Sequence, residues 1–160
     1  MNSGCTEPLV PNSDRAKELG RQRPTITARS GTRKKSSAEG VDRPRKKYFA
    51  GGELSGDGRF RNGKRHGTWK FYYRNGRRKA LGKYLDGELD GHWKCWRENG
   101  QPLQTGAFKN GKQVGLWKRY YDNGQLWDEG GYDDGKKVAE WKVYDKAGAL
   151  RQSKVFKVKR

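Results

Sequence analysis

The 160-residue chain carries 37 Lys and Arg against 18 Asp and Glu, a formal net charge of +19. Only 31% of its residues are hydrophobic, too few for a large aliphatic core, yet 12% are aromatic, with six Trp and eight Tyr. This balance excludes a chain disordered throughout, which would lack aromatics, and it points to anionic partners: nucleic acid, acidic lipid or an acidic protein.

Residues 1–47 contain no Trp, Tyr or Phe and are rich in Ser, Arg, Lys and Pro. Nothing there offsets the entropy of ordering, so a disordered basic arm is expected, dispensable for folding. Arg33-Lys34-Lys35 and Arg45-Lys46-Lys47 are short basic clusters, either phosphate contacts or solvated linker. The arm lacks the apolar core of a secretory signal, and no apolar stretch reaches transmembrane length. A cytoplasmic chain is the expectation. Cys5 and Cys95 belong to no CxxC pair, and with Cys5 in the arm no stabilising disulfide is expected.

From Tyr48 onward the chain repeats. Trp69, Trp93, Trp117 and Trp141 are each 24 residues apart, as are Gly63, Gly87, Gly111 and Gly135. Tyr84, Phe108, Tyr132 and Phe156 keep the same step, and so do Asn75-Gly76, Asn99-Gly100 and Asn123-Gly124. A half repeat with Gly52, Leu54, Gly58 and Phe60 precedes them, making about four and a half units. Each unit reads as a β-hairpin. The segment from Trp117 to Tyr121 forms one strand, Asn123-Gly124 the tight turn, and Leu126 to Tyr132 the return. Lys109 to Gly115 is the longer link to the next unit. Glycine recurs too often for a helix. The expected fold is therefore all-β, an open array of antiparallel β-hairpins over residues 48–158.

In the return strand Leu126, Asp128, Gly130 and Tyr132 share one face by alternation. The column Gly58, Gly82, Gly106 and Gly130 leaves a gap that an indole from the neighbouring strand covers. Trp, Gly and Tyr or Phe then form one packed layer per repeat. The last unit departs from the pattern: Ala139 replaces a repeat glycine and Lys154 the strand glycine. Terminal units of arrays differ in this way, and Lys protects an exposed edge.

Catalytic chemistry has little support. His66 and His92 fall in links without a neighbouring Cys or spaced carboxylate, so neither metal nor cofactor is expected. Asp86-Gly87 and Asp134-Gly135 read as turns, and no phosphate loop is present. Cys95 shares its column with Phe71, Arg119 and Val143 and reads as a packing residue. No small-molecule substrate is implied.

One constellation repeats beside the Trp column. Lys70, Lys94, Lys118 and Lys142 follow each repeat Trp, and Tyr72, Trp96, Tyr120 and Tyr144 come two residues later. In a regular strand both lie on the face opposite the Trp, with successive repeats two strands apart, roughly 9.5 Å. Two readings stand: a surface for an anionic or flat partner, or a second packing layer with Lys stems lying over the aromatics. A bulge would break the parity.

The unit Gly-x-x-x-Gly-x-Trp-Lys-x-Tyr-Tyr-x-Asn-Gly, followed by Gly-x-Tyr, resembles the MORN-2 variant of the MORN repeat over about residues 48–157. It is most similar to bacterial YwqK-family proteins, which are classed with the antitoxins of toxin–antitoxin systems. The resemblance implies an open hairpin array and a non-enzymatic role in protein binding or scaffolding, a cognate toxin being one such partner. The association of eukaryotic MORN proteins with membranes keeps acidic lipid open.

Overall fold

The computed structural model describes residues 42–158. The expected arm up to residue 41, with Cys5 and Arg33-Lys34-Lys35, lies outside the described residues. Ten strands follow: β1 (Arg43–Tyr48), β2 (Leu54–Arg61), β3 (Lys64–Tyr72), β4 (Arg78–Leu85), β5 (Glu88–Trp96), β6 (Pro102–Lys109), β7 (Lys112–Tyr120), β8 (Leu126–Asp133), β9 (Lys136–Tyr144) and β10 (Leu150–Phe156). Each pairs antiparallel with its sequence neighbour, giving one open sheet ordered β1 to β10. No described residue is helical.

The array begins earlier than expected. Residues 43–47, assigned to the arm, form most of β1, with Arg45 opposite Gly58 and Lys46 opposite Asp57. All six residues of β1 are exposed. Its hold is backbone pairing together with Asp42, whose Oδ1 accepts from Arg61 Nε at 2.9 Å. A strand stabilised by pairing leaves no apolar pattern, so composition alone conceals it. Its basic residues suit an edge strand, where charge opposes further pairing.

The two kinds of turn exchange roles relative to expectation. Lys109 to Gly115 is not a long link: Asn110 and Gly111 make a two-residue turn with φ of 49° and 76°, and β7 starts directly after it. Asn62-Gly63, Asp86-Gly87 and Asp134-Gly135 are built alike, with positive φ at both positions, as a tight hairpin turn of matching twist demands. At the Asn-Gly pairs only the glycine has positive φ. There Gly76 N–H donates to Tyr73 O at 2.9 Å and Asn75 Oδ1 accepts from Arg77 N–H at 3.0 Å, a wider loop closed by the Asn side chain. Side chains tie each of these loops to the next repeat. Tyr73 and Tyr121 hydroxyls donate to Trp96 O and Tyr144 O at 2.9 and 2.8 Å, and Arg97 does the same to Tyr120 O at 2.9 Å. Burial, then the nearby Glu98, pushes the Tyr73 phenol above its ordinary value, so it stays a donor at neutral pH.

The core is a single layer of rings on one face. Each Trp lies flat against the glycine of the strand before it. A Cβ at Gly82 would sit 1.7 Å from Trp93, and at Gly58, Gly106 and Gly130 it would sit 2.1–2.2 Å from Trp69, Trp117 and Trp141. Any side chain there would occupy the space of the indole. Phe60, Trp69, Tyr84, Trp93, Phe108, Trp117, Tyr132 and Trp141 then alternate in an unbroken edge-to-face series, with centroids 5.1–6.3 Å apart. Each such contact adds to burial by about 0.5–1.5 kcal/mol. Because every Trp leans on the preceding strand, β10 needs no glycine, and Lys154 occupies that position. Trp69, Trp117 and Trp141 donate their indole N–H to Arg59 O, Ala107 O and Gly131 O at 3.0–3.2 Å. Trp93 is turned over, and its N–H meets Cys95 Sγ at 3.0 Å.

Next to the Trp row the core changes character along the array. Phe71, Ala80 and Cys95 are buried, Cys95 as the expected packing residue. Two strands further the same row holds Arg119 and Asp128, opposite one another and joined by two charge-assisted hydrogen bonds. Asp128 is 3% exposed. Its bond holds the Arg119 guanidinium above its ordinary value. Cys95 is disulfide-bonded, against the expectation of no stabilising disulfide.

Bulges set the facing of the strands. Register slips between Arg119 and Tyr120, so that Trp127 is the extra residue of β8 and Leu126 pairs with Tyr120. Leu126 is thus carried to the face opposite Asp128, Gly130 and Tyr132, which corrects the expected four-residue alternation. Trp127 packs under Arg119, whose Cζ is 4.4 Å from the ring centre.

Two outcomes follow. Trp117→Ala is expected to cost roughly 3–5 kcal/mol and more than Trp141→Ala in chemical denaturation, because Trp117 has ring partners on both sides and Trp141 only Tyr132; equal costs would contradict a ring series that runs through the array. Ala139 holds a φ of +59° where the other units have glycine. Ala139→Gly is therefore expected to stabilise by about 0.5–1 kcal/mol, read as a raised thermal midpoint, since the left-handed strain of Ala exceeds the entropy cost of Gly.

Candidate functional site

The face opposite the tryptophans carries the repeated lysines. Cross-strand pairing places Lys46, Asp57, Lys70, Leu81, Lys94, Thr105, Lys118, Glu129, Lys142 and Ser153 in one row across all ten strands. Lysines alternate with other residues, so successive lysines stand about 9.5 Å apart at their Cα atoms. Near the Asn-Gly loops the bulges fall in the returning strands β4, β6, β8 and β10. Those of the outgoing strands β3, β5, β7 and β9 lie on the turn side of each lysine, so Lys and aromatic of each outgoing strand keep their common face. A second row lies toward the Asn-Gly loops, where Tyr72, Trp96, Tyr120 and Tyr144 pair with Arg78, Pro102, Leu126 and Leu150.

Lys46 and Tyr48 extend both rows into β1. They stand 24 residues before Lys70 and Tyr72, a signal hidden by placing the arm boundary after residue 47. The aromatics of the second row are half-buried, whereas Tyr48 is 59% exposed. Arg78 lies over the Trp96 ring, with Cζ 5.8 Å from its centre.

The lysines are not equivalent. Lys118 Nζ is 3.5 Å from Glu129 Oε2 and Lys142 Nζ is 3.5 Å from Glu140 Oε2. The Tyr144 hydroxyl donates to Glu129 Oε1 at 3.0 Å. Desolvation, with this carboxylate second, raises the Tyr144 phenol above its ordinary value. Ser153 Oγ donates to Glu140 Oε1 at 2.6 Å, which holds that carboxyl below its usual range. Lys70 and Lys94 form no ion pair among the described residues. Their pairing neighbours toward the next strand are Leu81 and Thr105.

His66 has the carboxylate neighbour that the sequence reading denied it. The turn at Asp86 brings Oδ1 to 3.6 Å from His66 Nδ1. The described residues nonetheless hold no group of three or more His, Cys, Asp or Glu able to take up a metal ion.

Three consecutive units match the MORN repeat variant. They span residues 65–86, 89–110 and 113–134, that is β3–β4, β5–β6 and β7–β8. No curated protein matches the chain. Among solved structures, the crystal structure of TarM is similar over 56% of this chain and 18% of that one, at 13% identity and a TM-score of 0.36. The chain thus spans less than a fifth of that protein's length.

Proposed function

We propose that this chain is a non-enzymatic binding module that holds an acidic protein partner against its lysine-bearing face. The observation that carries the reading is the row of five lysines running straight across the sheet, on the face opposite Trp69, Trp93, Trp117 and Trp141. The MORN repeat match agrees with a binding scaffold, although one scaffold serves many partners. Half-buried aromatics beside the lysines favour protein, because interfaces are enriched in aromatics and arginine. A cognate toxin is one partner of this class, and neutralisation by occupancy is then the antitoxin role. Such a role places the chain in the cytoplasm. No helix among the described residues is long and apolar enough to cross a membrane.

Anion binding through phosphate is the second reading, favoured by Lys70 and Lys94, which form no ion pair among the described residues. The carboxylates of Asp57 and Glu129 within the row repel a phosphate backbone and an acidic protein alike, so the aromatics beside the lysines are what favours protein.

The decisive measurement is affinity capture from the native cell with and without nuclease, using the parent chain and Lys70→Gln/Lys94→Gln. A specific acidic protein is expected to survive nuclease and to be lost from the double variant, whose thermal midpoint stays within a few degrees because exposed lysines contribute little to stability. A partner retained by the folded variant would remove the lysine face from consideration. Loss of all partners on nuclease treatment would favour nucleic acid.

A further inference from the structure

We infer that the acidic partner docks only on the N-terminal half of the lysine face, at Lys46, Lys70 and Lys94, and that Glu129 and Glu140 close the C-terminal half to it. The inference rests on the reading proposed above and adds where on the face the partner sits.

The row divides at Thr105. Its first six positions contain three lysines and one carboxylate, Asp57. Its last four contain two lysines and Glu129, with Glu140 alongside. In the second half each lysine already has a carboxylate at 3.5 Å. An incoming carboxylate there meets a cancelled field and must displace a resident one. In the first half Lys70 and Lys94 flank Leu81, a neutral neighbour that compensates neither. Two further exposed cations belong to the same half: Arg78, opposite Tyr72 and over Trp96, and Lys83, opposite Thr68. Like charges gathered on one patch add their potentials and steer an opposite surface to it.

The row nearer the two-residue turns divides at the same place. On the N-terminal side it shows Arg59, Thr68, Lys83 and His92, whereas beyond them come Ala107, Leu116, Gly131, Glu140 and Val155. Leu116 is 59% exposed and Val155 71%. One half of the face is thus cationic and polar, the other apolar with its charges paired. A partner held by carboxylates has its complement in the first half alone.

The test uses the full chain throughout, so that the charge of residues 1–41 is common to every sample. Fluorescent poly-L-glutamate is the probe, with a single-stranded oligonucleotide in parallel, read by anisotropy over a salt series. Lys70→Gln/Lys94→Gln is expected to weaken polyglutamate binding about tenfold and to flatten the salt slope, by roughly one unit per lysine on the counterion-release scale. Lys118→Gln/Lys142→Gln is expected to stay within about twofold of the parent. Glu129→Gln/Glu140→Gln, which frees the two paired lysines, is expected to tighten binding about threefold or more. Equal losses in the two lysine variants, or no gain in the Gln-for-Glu variant, would overturn the division of the face while leaving the lysine face as the binding surface. Parent-like binding by both lysine variants would remove the proposed function itself. Tighter binding of the oligonucleotide than of polyglutamate, with the same losses, would assign the patch to nucleic acid and end the acidic-protein reading.

Discussion

The structure depends on one contact, an indole laid flat on a glycine of the adjacent strand. A sheet without a second layer ordinarily leaves both faces in water, and a chain so poor in aliphatic residues cannot build that layer. Here each Trp covers the backbone gap left by Gly58, Gly82, Gly106 or Gly130 and meets Phe or Tyr edge-on to either side. Rings of this size bury roughly 150–250 Å² each, so a monolayer suffices. Trp69, Trp93, Trp117 and Trp141 reach 0–4% exposure, and among the described residues no second layer covers them. The geometry also explains the polarity of the array. Because each Trp leans backward, glycine is required in every returning strand but the last.

The repeat made this core legible. Columns of Trp, Gly and Tyr or Phe recur at a fixed step because their packing is mutual: a change in one ring disturbs the next. The all-β hairpin array followed from that step and from the turn residues. What escaped the sequence was held by backbone or by register. β1 is basic and wholly exposed, so no apolar pattern marks it, and only Lys46 and Tyr48 repeat the later spacing. The bulge at Trp127 turned Leu126 to the other face, and bulges cannot be read from alternation. Arg119 and Asp128 took a core row that holds Phe71, Ala80 and Cys95 elsewhere. Their mutual neutralisation makes that replacement tolerable, and loss of Arg119 would leave the buried Asp128 carboxylate unpaired.

The lysine face was legible as a pattern but not as a set of unequal sites. Lys70, Lys94, Lys118 and Lys142 look alike in the sequence. Their difference lies in residues on neighbouring strands. Glu129 is eleven positions from Lys118 in the chain, and it becomes its neighbour only through the register of β7 and β8. Spacing along one strand cannot show this. The aromatics beside the lysines combine the two readings that the sequence left open: they are half-buried, with Arg78 resting on Trp96, and they still border the open surface.

The two faces therefore answer to different constraints. On the ring face a unit that departs from the pattern endangers its neighbours, so departures there come in compensated form, as with Trp93 turned toward Cys95 or the Arg119–Asp128 pair. The opposite face carries no such mutual packing. A residue there can change with little cost to the fold, and successive units do differ: Leu81, Thr105, Glu129 and Ser153 occupy equivalent positions between the lysines. Variation that packing does not enforce is where a repeat protein can encode which partner it holds and where. The constancy of the lysines amid that variation is itself unexplained by folding, since no ring or core contact requires them. This mismatch, a constant charge where packing would permit any polar residue, is what the proposed binding role accounts for.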